Sequence, residues 1–340
     1  MRIWDDRRHK MKKTLYLYKS GQLMRRDSSL VLLEHNKNVI YIPIHQIDQI
    51  ICFSEINVNK KTLGLLNSYG ITILFFNYYG NYIGRFTPKK YYEGKVLVKQ
   101  VEYYADTKKR MYIAKQIIRS SMKNELSLLK YYHKKGHSLN KIIDGIQGIY
   151  TRIEEADCIE SLLLLEAEAK QYYYQVFDIV LKNDPFTFGE RSKNPPKNEI
   201  NAMMSYGYSI LYSNYLSVID RSSLYPQISF IHSLSKNSDS LQFDLADILK
   251  PVFIDRLILR LIRKHQIQVD MFDFKQDGRC YLNKNGIELF VQEYDKLLKS
   301  SIMINNKSYS YKLLISREVH LLSNYIKEVS ETYEPYVMGW

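Results

Sequence analysis

The sequence contains little cysteine and no long apolar segment. Its three cysteines, Cys52, Cys158 and Cys280, lie far apart and form no CxxC pair. This argues against a zinc ribbon or a disulfide framework and favours a reducing compartment. No apolar run approaches the roughly 20 residues of a membrane span, and the N-terminus lacks the apolar core of a signal peptide. We therefore expect a cytoplasmic protein without a membrane partner.

Acidic residues are also scarce relative to basic ones. The 340 residues include 49 Lys and Arg against 36 Asp and Glu, a formal net charge of +13, together with 30 tyrosines. Cationic side chains bind phosphates and aromatic rings stack on bases, so this composition favours a nucleic-acid partner. A drift toward Lys, Asn, Ile and Tyr, as in an AT-rich genome, would produce the same bias.

The residue pattern changes near residue 90. Before it, short β-branched and aromatic segments separated by polar turns predict strands, and NVNKKTLGLLNSYG predicts one short helix ending at Gly70. After it, the apolar period is that of a helix. We predict an α+β protein of two domains. They are a small N-terminal β-sandwich-like domain (11–88) and a larger all-α domain (97–340), joined by a linker (89–96).

Seven helices are predicted in the C-terminal part. They are 97–134, 138–156, 159–182, 200–219, 244–265, 286–300 and 309–331. The connection 183–199 is too rich in proline and glycine to be helical. At the other end of the chain, MRIWDDRRHK reads as an extension ahead of Met11 and is left out of the fold prediction.

The predicted helix 159–182 carries a carboxylate in the middle of its apolar face. At about 100° per residue, Glu166 lies among Leu162, Ala169 and Tyr173, whereas Glu168 lies on the opposite, solvated face. A buried carboxylate is costly unless it is paired, protonated or bound to a metal. Glu166 is therefore a candidate ligand, and an ion pair at the edge of the core is the alternative.

One histidine and two aspartates follow further along the chain. His232 comes after an apolar stretch, and on its own it would more often be a satisfied core residue. Asp244 and Asp247 open a predicted helix on one face, where aspartates also cap and oppose the dipole. We predict Asp244 mainly as a cap and Asp247 mainly as a ligand. With Glu166 they suit Mg²⁺ or Mn²⁺ better than zinc, for phosphodiester chemistry.

Basic residues accompany these candidates. Arg256, Arg260 and Arg263 share one face of the helix that begins near Asp247, and six further lysines and arginines crowd the first long helix. They fit a DNA backbone that runs toward the site, or simply a solvated face.

The predicted helix 200–219 carries a polar stripe. Asn201, Ser205, Tyr208 and Tyr212 recur at helical spacing on an otherwise apolar element. The stripe either lines the catalytic cleft or forms hydrogen bonds to another helix.

The order of these segments resembles the Cas1 family of CRISPR-associated spacer integrases. LLLLEAEAKQYYYQVF is similar to the family's helix with an E-[GA]-x-A core, and RSKNPPKNEINAMMSYGYSILY to its R-x-x-x-P-P…N-A-x-x-x-Y-G-Y segment. FIHSLSKNSDSLQFDLADILKPVFIDR resembles F-x-H…S-L-x-x-D-L-x-[ED], and EPYVMGW resembles the C-terminal tail. The likeness covers residues 12–340. Its specificity comes from the combination rather than from any single motif.

The resemblance implies roles for residues at matching positions. Glu166, His232 and Asp247 correspond to the ligands of Mg²⁺ or Mn²⁺, and Asp244 to a supporting acid. Asp247 stands where many members have glutamate, a shorter reach that the family accepts. We add as candidate DNA contacts Arg191, Asn201, Tyr208, Arg256 and Arg260.

The resemblance also implies a prokaryotic, cytoplasmic integrase that acts in antiviral defence. The protein would form a homodimer, and two dimers would flank a dimer of the Cas2 protein and hold double-stranded protospacer DNA. The 3′-hydroxyl of the spacer would attack a phosphodiester at the leader–repeat junction of the CRISPR array. This spacer-acquisition step is a transesterification.

Three alternatives remain at this stage. A metal-dependent nuclease of branched or damaged DNA would use the same residues without joining ends. A non-catalytic DNA-binding assembly subunit would retain the charge with a decayed site. A tyrosine recombinase needs arginines and a histidine around one nucleophilic tyrosine, and no segment presents that set.

Overall fold

The computed structural model describes residues 12–339 except 37, 78, 90–92, 183, 235–238 and 305. The predicted N-terminal extension lies outside the described residues. The chain forms two compact units, Met1–Tyr91 and Tyr92–Trp340. Sheets characterise the first and helices the second, as the sequence predicts. No helix in the described part of the chain is long and apolar enough to cross a membrane.

The N-terminal unit contains two four-stranded sheets and a helix among its described residues. The strands are β1 (Lys13–Leu17), β2 (Gly21–Arg26), β3 (Ser29–Glu34), β4 (Val39–Ile42), β5 (Ile47–Cys52), β6 (Ile56–Val58), β7 (Thr72–Phe76) and β8 (Tyr82–Phe86), and the helix is α1 (Lys60–Tyr69). The sheet orders are β1-β5-β7-β8 and β4-β3-β2-β6. Leucines and isoleucines from both sheets and from α1 form one apolar core.

Local signals explain α1, whereas β2 was missed. The Asn59 side chain accepts a hydrogen bond from the Thr62 amide at 3.0 Å, and Gly70 ends the helix with a φ of 67°. Both caps were predicted. Glycine at this position is typical of a turn, but Gly21 begins β2 instead. A Cβ there would lie 2.4 Å from the Leu33 carbonyl oxygen of the paired strand, so only glycine permits that approach.

The C-terminal unit is built mainly of helices. They are α2 (Gly94–Ala105), α3 (Thr107–Lys134), α4 (Asn140–Thr151), α5 (Ile159–Tyr173), α6 (Gln175–Val180), α7 (Glu199–Arg221), α8 (Leu241–Lys250), α9 (Arg256–Arg263), α10 (Lys284–Lys299) and α11 (Tyr311–Ile326). The long helix α3 packs against both α5 and α8, and α7 also packs against α8. These contacts bring together the segments that carry the candidate ligands.

The prediction of an all-α C-terminal domain was wrong. Two antiparallel hairpins lie between the last helices, and they pair β9 (Phe272–Phe274) with β10 (Cys280–Leu282), and β11 (Ser301–Ile304) with β12 (Lys307–Ser310). Each hairpin is only three or four residues long per strand. Such short pairs carry too few residues to register as a change of apolar period.

Three predicted helices are interrupted. Asp106 separates α2 from α3 and accepts a hydrogen bond from the Lys109 amide at 3.0 Å, which makes it the N-cap of α3. The predicted helix 159–182 divides at Tyr174 into α5 and α6. The predicted helix 244–265 begins at Leu241 and passes through a π-helical turn, Pro251–Asp255, before α9. Pro251 has no N–H for the α-helical ladder, which accounts for that turn.

The C-terminal segment anchors the helix that carries Asp247. Asn124 of α3 donates to the Ile248 carbonyl at 2.7 Å and to the Tyr336 carbonyl at 3.0 Å, and accepts from the Met338 amide at 2.7 Å. Ser121 of α3 donates to the Asp247 carbonyl at 2.9 Å. The backbone of α8 is therefore fixed by side chains of α3, one of which also holds the C-terminal segment.

Candidate active site

Glu166 lies half-buried on α5, as its helical phase predicts. Its neighbour Glu168 faces solvent, where it pairs with Arg152 at 2.9 Å. One turn after Glu166, Lys170 forms an ion pair with the buried Glu125 of α3. Helical phase therefore distinguished correctly between the two glutamates of this segment.

His232 is held by Asp244. The Asp244 carboxylate accepts hydrogen bonds from the amides of Phe230, Ile231 and His232, at 2.6, 3.1 and 3.1 Å. It also contacts the Nδ1 atom of His232 at 2.7 Å. An Nδ1–H that donates to this carboxylate leaves Nε2 as the free, lone-pair-bearing nitrogen. Burial lowers the pKa of His232, but the Asp244 carboxylate outweighs it and the pKa lies above its ordinary value.

The prediction that Asp244 caps its own helix was wrong. The helix begins three residues earlier, with Ser240 at the N-cap position, and no side chain caps it. The four donors to Asp244 all belong to residues 230–232. Asp244 is fully buried and serves as a supporting acid for the loop before α8.

Asp247 lies on α8 within reach of the charges of α5. Its carboxylate forms an ion pair with Lys250, three residues further along the same helix. Burial raises the pKa of Asp247, but the charges of Lys250, His232 and Lys170 outweigh it and hold the pKa below its ordinary value. Asp247 is thus an anion whose partner is a flexible side chain.

Glu166 and Asp247 repel each other. Burial is the main cause that raises the pKa of Glu166, and the negative charge of Asp247 is the next. Lys170, Lys250 and His232 act in the opposite direction. The structure therefore brings Glu166, His232 and Asp247 into one electrostatic neighbourhood, although they come from α5, a loop and α8.

The donor set fits a divalent cation. A cation would relieve the repulsion between the two carboxylates, and the contact of Nδ1 with Asp244 would leave Nε2 of His232 available to it. As the side chains stand, no three His, Cys, Asp or Glu residues in the described part of the chain are grouped closely enough to hold a metal ion. The ammonium of Lys250 lies on Asp247 instead.

A buried acid lies behind this site and was not recognised in the sequence. Asp255, in the π-helical turn, accepts hydrogen bonds from the hydroxyls of Tyr208 at 2.6 Å and Tyr173 at 2.8 Å. Burial raises the pKa of Asp255, against the effect of both tyrosines and of Lys170. The three side chains join α5, α7 and the π-helical turn, which fixes the helix of Glu166 relative to that of Asp247.

Arg191 is oriented by the polar stripe of α7. It donates to Asn201 Oδ1 at 2.8 Å and to Ser205 Oγ at 3.2 Å, and its guanidinium lies 5.8 Å from the Tyr208 ring centroid. Asn201 is fully buried and also donates to the Glu190 carbonyl at 2.8 Å. Asn201 and Tyr208 are therefore not exposed for a DNA contact. They position Arg191 and Asp255, because the stripe faces inward.

The arginines of α9 are engaged within the fold. Arg256 donates to the Tyr311 hydroxyl at 2.9 Å, and Arg260 to Glu293 at 3.0 Å. Arg263 lies 5.7 Å from the Tyr132 ring centroid. These partners come from α10, α11 and α3, which is why a helix-face argument did not reveal them.

Several site residues were missed by sequence reasoning. Lys170 and Lys250 follow Glu166 and Asp247 by four and three residues, a spacing that does indicate ion pairs on a helix face. Lys193 lies near the same acids, and burial, Lys250 and Arg191 lower its pKa. Glu125 and Asp255 were not singled out from the sequence, because their partners Lys170, Tyr173 and Tyr208 come from other helices.

Comparisons with known proteins agree on one family. The family model described as "CRISPR associated protein Cas1" matches residues 15–296. The chain is similar to the CRISPR-associated endonuclease Cas1 2 of Thermodesulfovibrio yellowstonii, with 38% identity over 333 residues that cover 97% of this chain and 100% of the relative. A solved Cas1 structure from Thermotoga maritima has a TM-score of 0.84 and 31% identity, covering 96% of this chain and 99% of that one.

Two more distant structures share the fold. A casposase bound to integration product has a TM-score of 0.83 at 18% identity, covering 95% of this chain and 92% of that one. One chain of the complex titled Cas6-RT-Cas1–Cas2 has a TM-score of 0.82 at 18% identity. The match covers 98% of this chain and 37% of that one.

Proposed function

The chain belongs to the Cas1 family of CRISPR-associated proteins, and on that premise we propose that it is a metal-dependent DNA integrase and endonuclease of CRISPR adaptation. It inserts protospacer DNA into the CRISPR array. The observation that carries this proposal is the neighbourhood of Glu166, His232 and Asp247, with Asp244 holding the histidine. Two carboxylates and an oriented imidazole are the donors that Mg²⁺ or Mn²⁺ accepts in phosphodiester chemistry.

The proposed reaction exchanges one phosphodiester bond for another. The 3′-oxygen of the spacer forms a bond to the phosphorus at the leader–repeat junction, and the bond from phosphorus to the leader's 3′-oxygen breaks. The proton of the attacking hydroxyl is released and the departing oxygen becomes a 3′-hydroxyl. When bound, the metal polarises the phosphoryl oxygen and lowers the pKa of the attacking hydroxyl.

The chain's own residues hold and orient this site. Glu166, Asp247 and Nε2 of His232 bind the ion, and Asp244 keeps the imidazole in the tautomer that a ligand needs. Arg191 and Lys193 supply positive charge beside the two carboxylates, where a scissile phosphate would lie. Asn201 and Ser205 orient the guanidinium of Arg191.

The proposed partners are DNA and Cas2. The relatives named endonuclease and the casposase solved with an integration product support a DNA substrate. The solved assembly that contains both Cas1 and Cas2 supports a Cas2 partner. The net charge of +13 agrees with a polyanionic substrate. We expect a homodimer formed through the N-terminal unit, with two dimers on one Cas2 dimer.

A strand-transfer assay tests the proposal. The full chain, its Cas2 partner and Mn²⁺ are incubated with a 3′-hydroxyl duplex and a plasmid that carries a leader and repeat. Joined products are expected, and Glu166→Gln should abolish them while the matched variant Glu168→Gln, on the solvated face of α5, retains them. Equal activity of the two variants would overturn the assignment of the site.

The name endonuclease of the relatives supports a second candidate function. A metal-dependent nuclease of branched or damaged DNA would cleave at the same site without joining ends. The same assay separates the two functions. Cleaved DNA without joined products, under conditions in which the Cas2 partner is bound, would favour the nuclease over the integrase.

A further inference from the structure

Lys250 is unusually well held for a lysine. Its ammonium contacts the carboxylate of Asp247 and lies 4.9 Å and 5.0 Å from the ring centroids of Tyr208 and Tyr212. The two side chains of the ion pair are only 13% and 8% exposed. An ammonium between a carboxylate and two aromatic faces is a cation in a built pocket.

The other buried lysine nearby has a different partner. Lys170 pairs with Glu125, which is not a candidate ligand. Among the described residues, Lys250 is therefore the cation whose ammonium lies on the carboxylate of a candidate ligand. The charge of Asp247 is thus balanced by a side chain of its own helix.

A divalent ion and the ammonium are incompatible on one buried carboxylate. The two oxygens of a carboxylate are close together, so both cations would lie within a few ångströms of each other in a low-dielectric site. The four-carbon stem of a lysine is flexible, and the ammonium can leave by rotation of the side chain. Binding of the metal would therefore exchange partners at Asp247.

Resting on the proposed metal site, we propose that Lys250 occupies the cation position on Asp247 until a divalent ion displaces it. The lysine thereby sets the affinity of the site for metal. In the metal-free protein its ion pair holds the Asp247 side chain in place. In the metal-bound protein it is released beside Arg191 and Lys193, where positive charge faces the DNA.

Metal affinity measures the proposed competition directly. Mn²⁺ binding to the full chain is measured by titration calorimetry for the wild type, Lys250→Met and Lys193→Met. Lys250→Met should bind Mn²⁺ at least about tenfold more tightly, because the competing ammonium is gone. Lys193→Met, which removes a nearby charge that is not on Asp247, should change the affinity by less than about threefold. Equal effects of the two variants would overturn the proposal.

A footprint on the unmodified protein keeps the proposal testable if Lys250→Met does not fold. The wild type is treated with acetic anhydride with and without Mn²⁺, and lysine acetylation is read by mass spectrometry. Acetylation of Lys250 should rise when Mn²⁺ binds, whereas that of Lys170, paired with Glu125, should stay constant. Unchanged acetylation of Lys250 at saturating Mn²⁺ would contradict displacement.

The proposed function and this inference fail in different ways. If the wild type binds no Mn²⁺, or binds it as well after Glu166→Ala, the metal site itself is wrong and the inference falls with it. If Glu166→Ala abolishes binding but Lys250→Met leaves the affinity unchanged, only the role of Lys250 is wrong.

Discussion

Two aspartates three residues apart on α8 are held in opposite ways. Asp244 is fully buried and accepts hydrogen bonds from three amides and one imidazole. Asp247 is held by a single flexible lysine. A carboxylate with four fixed donors has its hydrogen-bonding capacity occupied by the fold. A carboxylate that faces a lysine ammonium can exchange that partner for another cation. The same residue type on one helix thus holds the imidazole of His232 at Asp244 and presents a candidate ligand at Asp247.

The largest expected effect comes from Asp247→Asn. An amide keeps the size of the side chain but is a poor ligand for Mg²⁺ or Mn²⁺, so strand transfer should fall by about a thousandfold or more. The rate of joined-product formation measures it, with far-UV circular dichroism to show that the fold persists. A loss of less than tenfold would mean that Asp247 is not a ligand. The two aspartates would then not differ in function as proposed.

Asp244→Asn should act mainly on stability. The amide loses the charge-assisted hydrogen bonds and turns an N–H₂ group toward backbone donors, so the free energy of unfolding should fall by about 2–3 kcal/mol. Urea unfolding measures it, and Asp247→Asn in the same helix is the matched control with a smaller expected loss. If both variants lose equal stability, the hydrogen bonds of Asp244 stabilise the fold no more than the ion pair of Asp247.

Glu318 is a second buried acid with one basic partner, Arg317, and its pKa shift has the opposite sign to that of Asp247. Burial raises its pKa to about 7, against the effects of Arg317 and the Tyr336 amide. The folded protein keeps a proton on Glu318 that the unfolded chain loses near pH 4.5. The protonated Glu318 therefore contributes its full stability below pH 4.5, and this contribution is lost as the pH rises through about 7. Asp247, with a lowered pKa, contributes stability that is lost as the pH falls instead.

The wild type and Glu318→Gln should therefore diverge with pH. Between pH 5 and pH 7.5, the unfolding free energy of the wild type should decrease by about 2 kcal/mol more than that of the variant. Urea unfolding at both pH values measures the difference. Parallel pH dependence would show that Glu318 is ionised in the folded protein.

The smallest effects are expected behind the site. Tyr208→Phe and Tyr173→Phe each remove one hydrogen bond to Asp255 and should cost about 1 kcal/mol of stability. Tyr212→Phe is the control, because it keeps the ring beside Lys250 and against Tyr208 and removes neither of the hydrogen bonds to Asp255. A cost for Tyr212→Phe as large as that for Tyr208→Phe would indicate that ring contacts, rather than Asp255, hold α7.

Much of the site could be read from local patterns. The helical phase of 159–182 separated Glu166 from Glu168, and the caps of α1 followed from Asn59 and Gly70. Both depend only on residues within a few positions of each other. The motif order also indicated the Cas1 family, which the comparisons confirm.

The errors arose where distant residues compete with local signals. Asp244 has the position of an N-cap in the predicted helix, yet its carboxylate is used by the backbone of residues 230–232. The polar stripe with Asn201 and Tyr208 left a cleft and hydrogen bonds to another helix open, and only the structure shows Arg191 and Asp255 as their partners. A helix-face argument identifies which side chains share a face but not what that face meets.

The sequence by itself determined the helical register of Glu166, the division into a sheet-rich and a helical part, and the residue types available for a metal. Only the tertiary structure decided which acid is held by fixed donors and which is paired with a flexible side chain. The donors to Asp244 belong to residues 230–232, in the loop before α8. The rings that hold Lys250 on Asp247 come from α7. Hydrogen bonds and charges act over a few ångströms in space, whereas periodicity describes only neighbours along one helix.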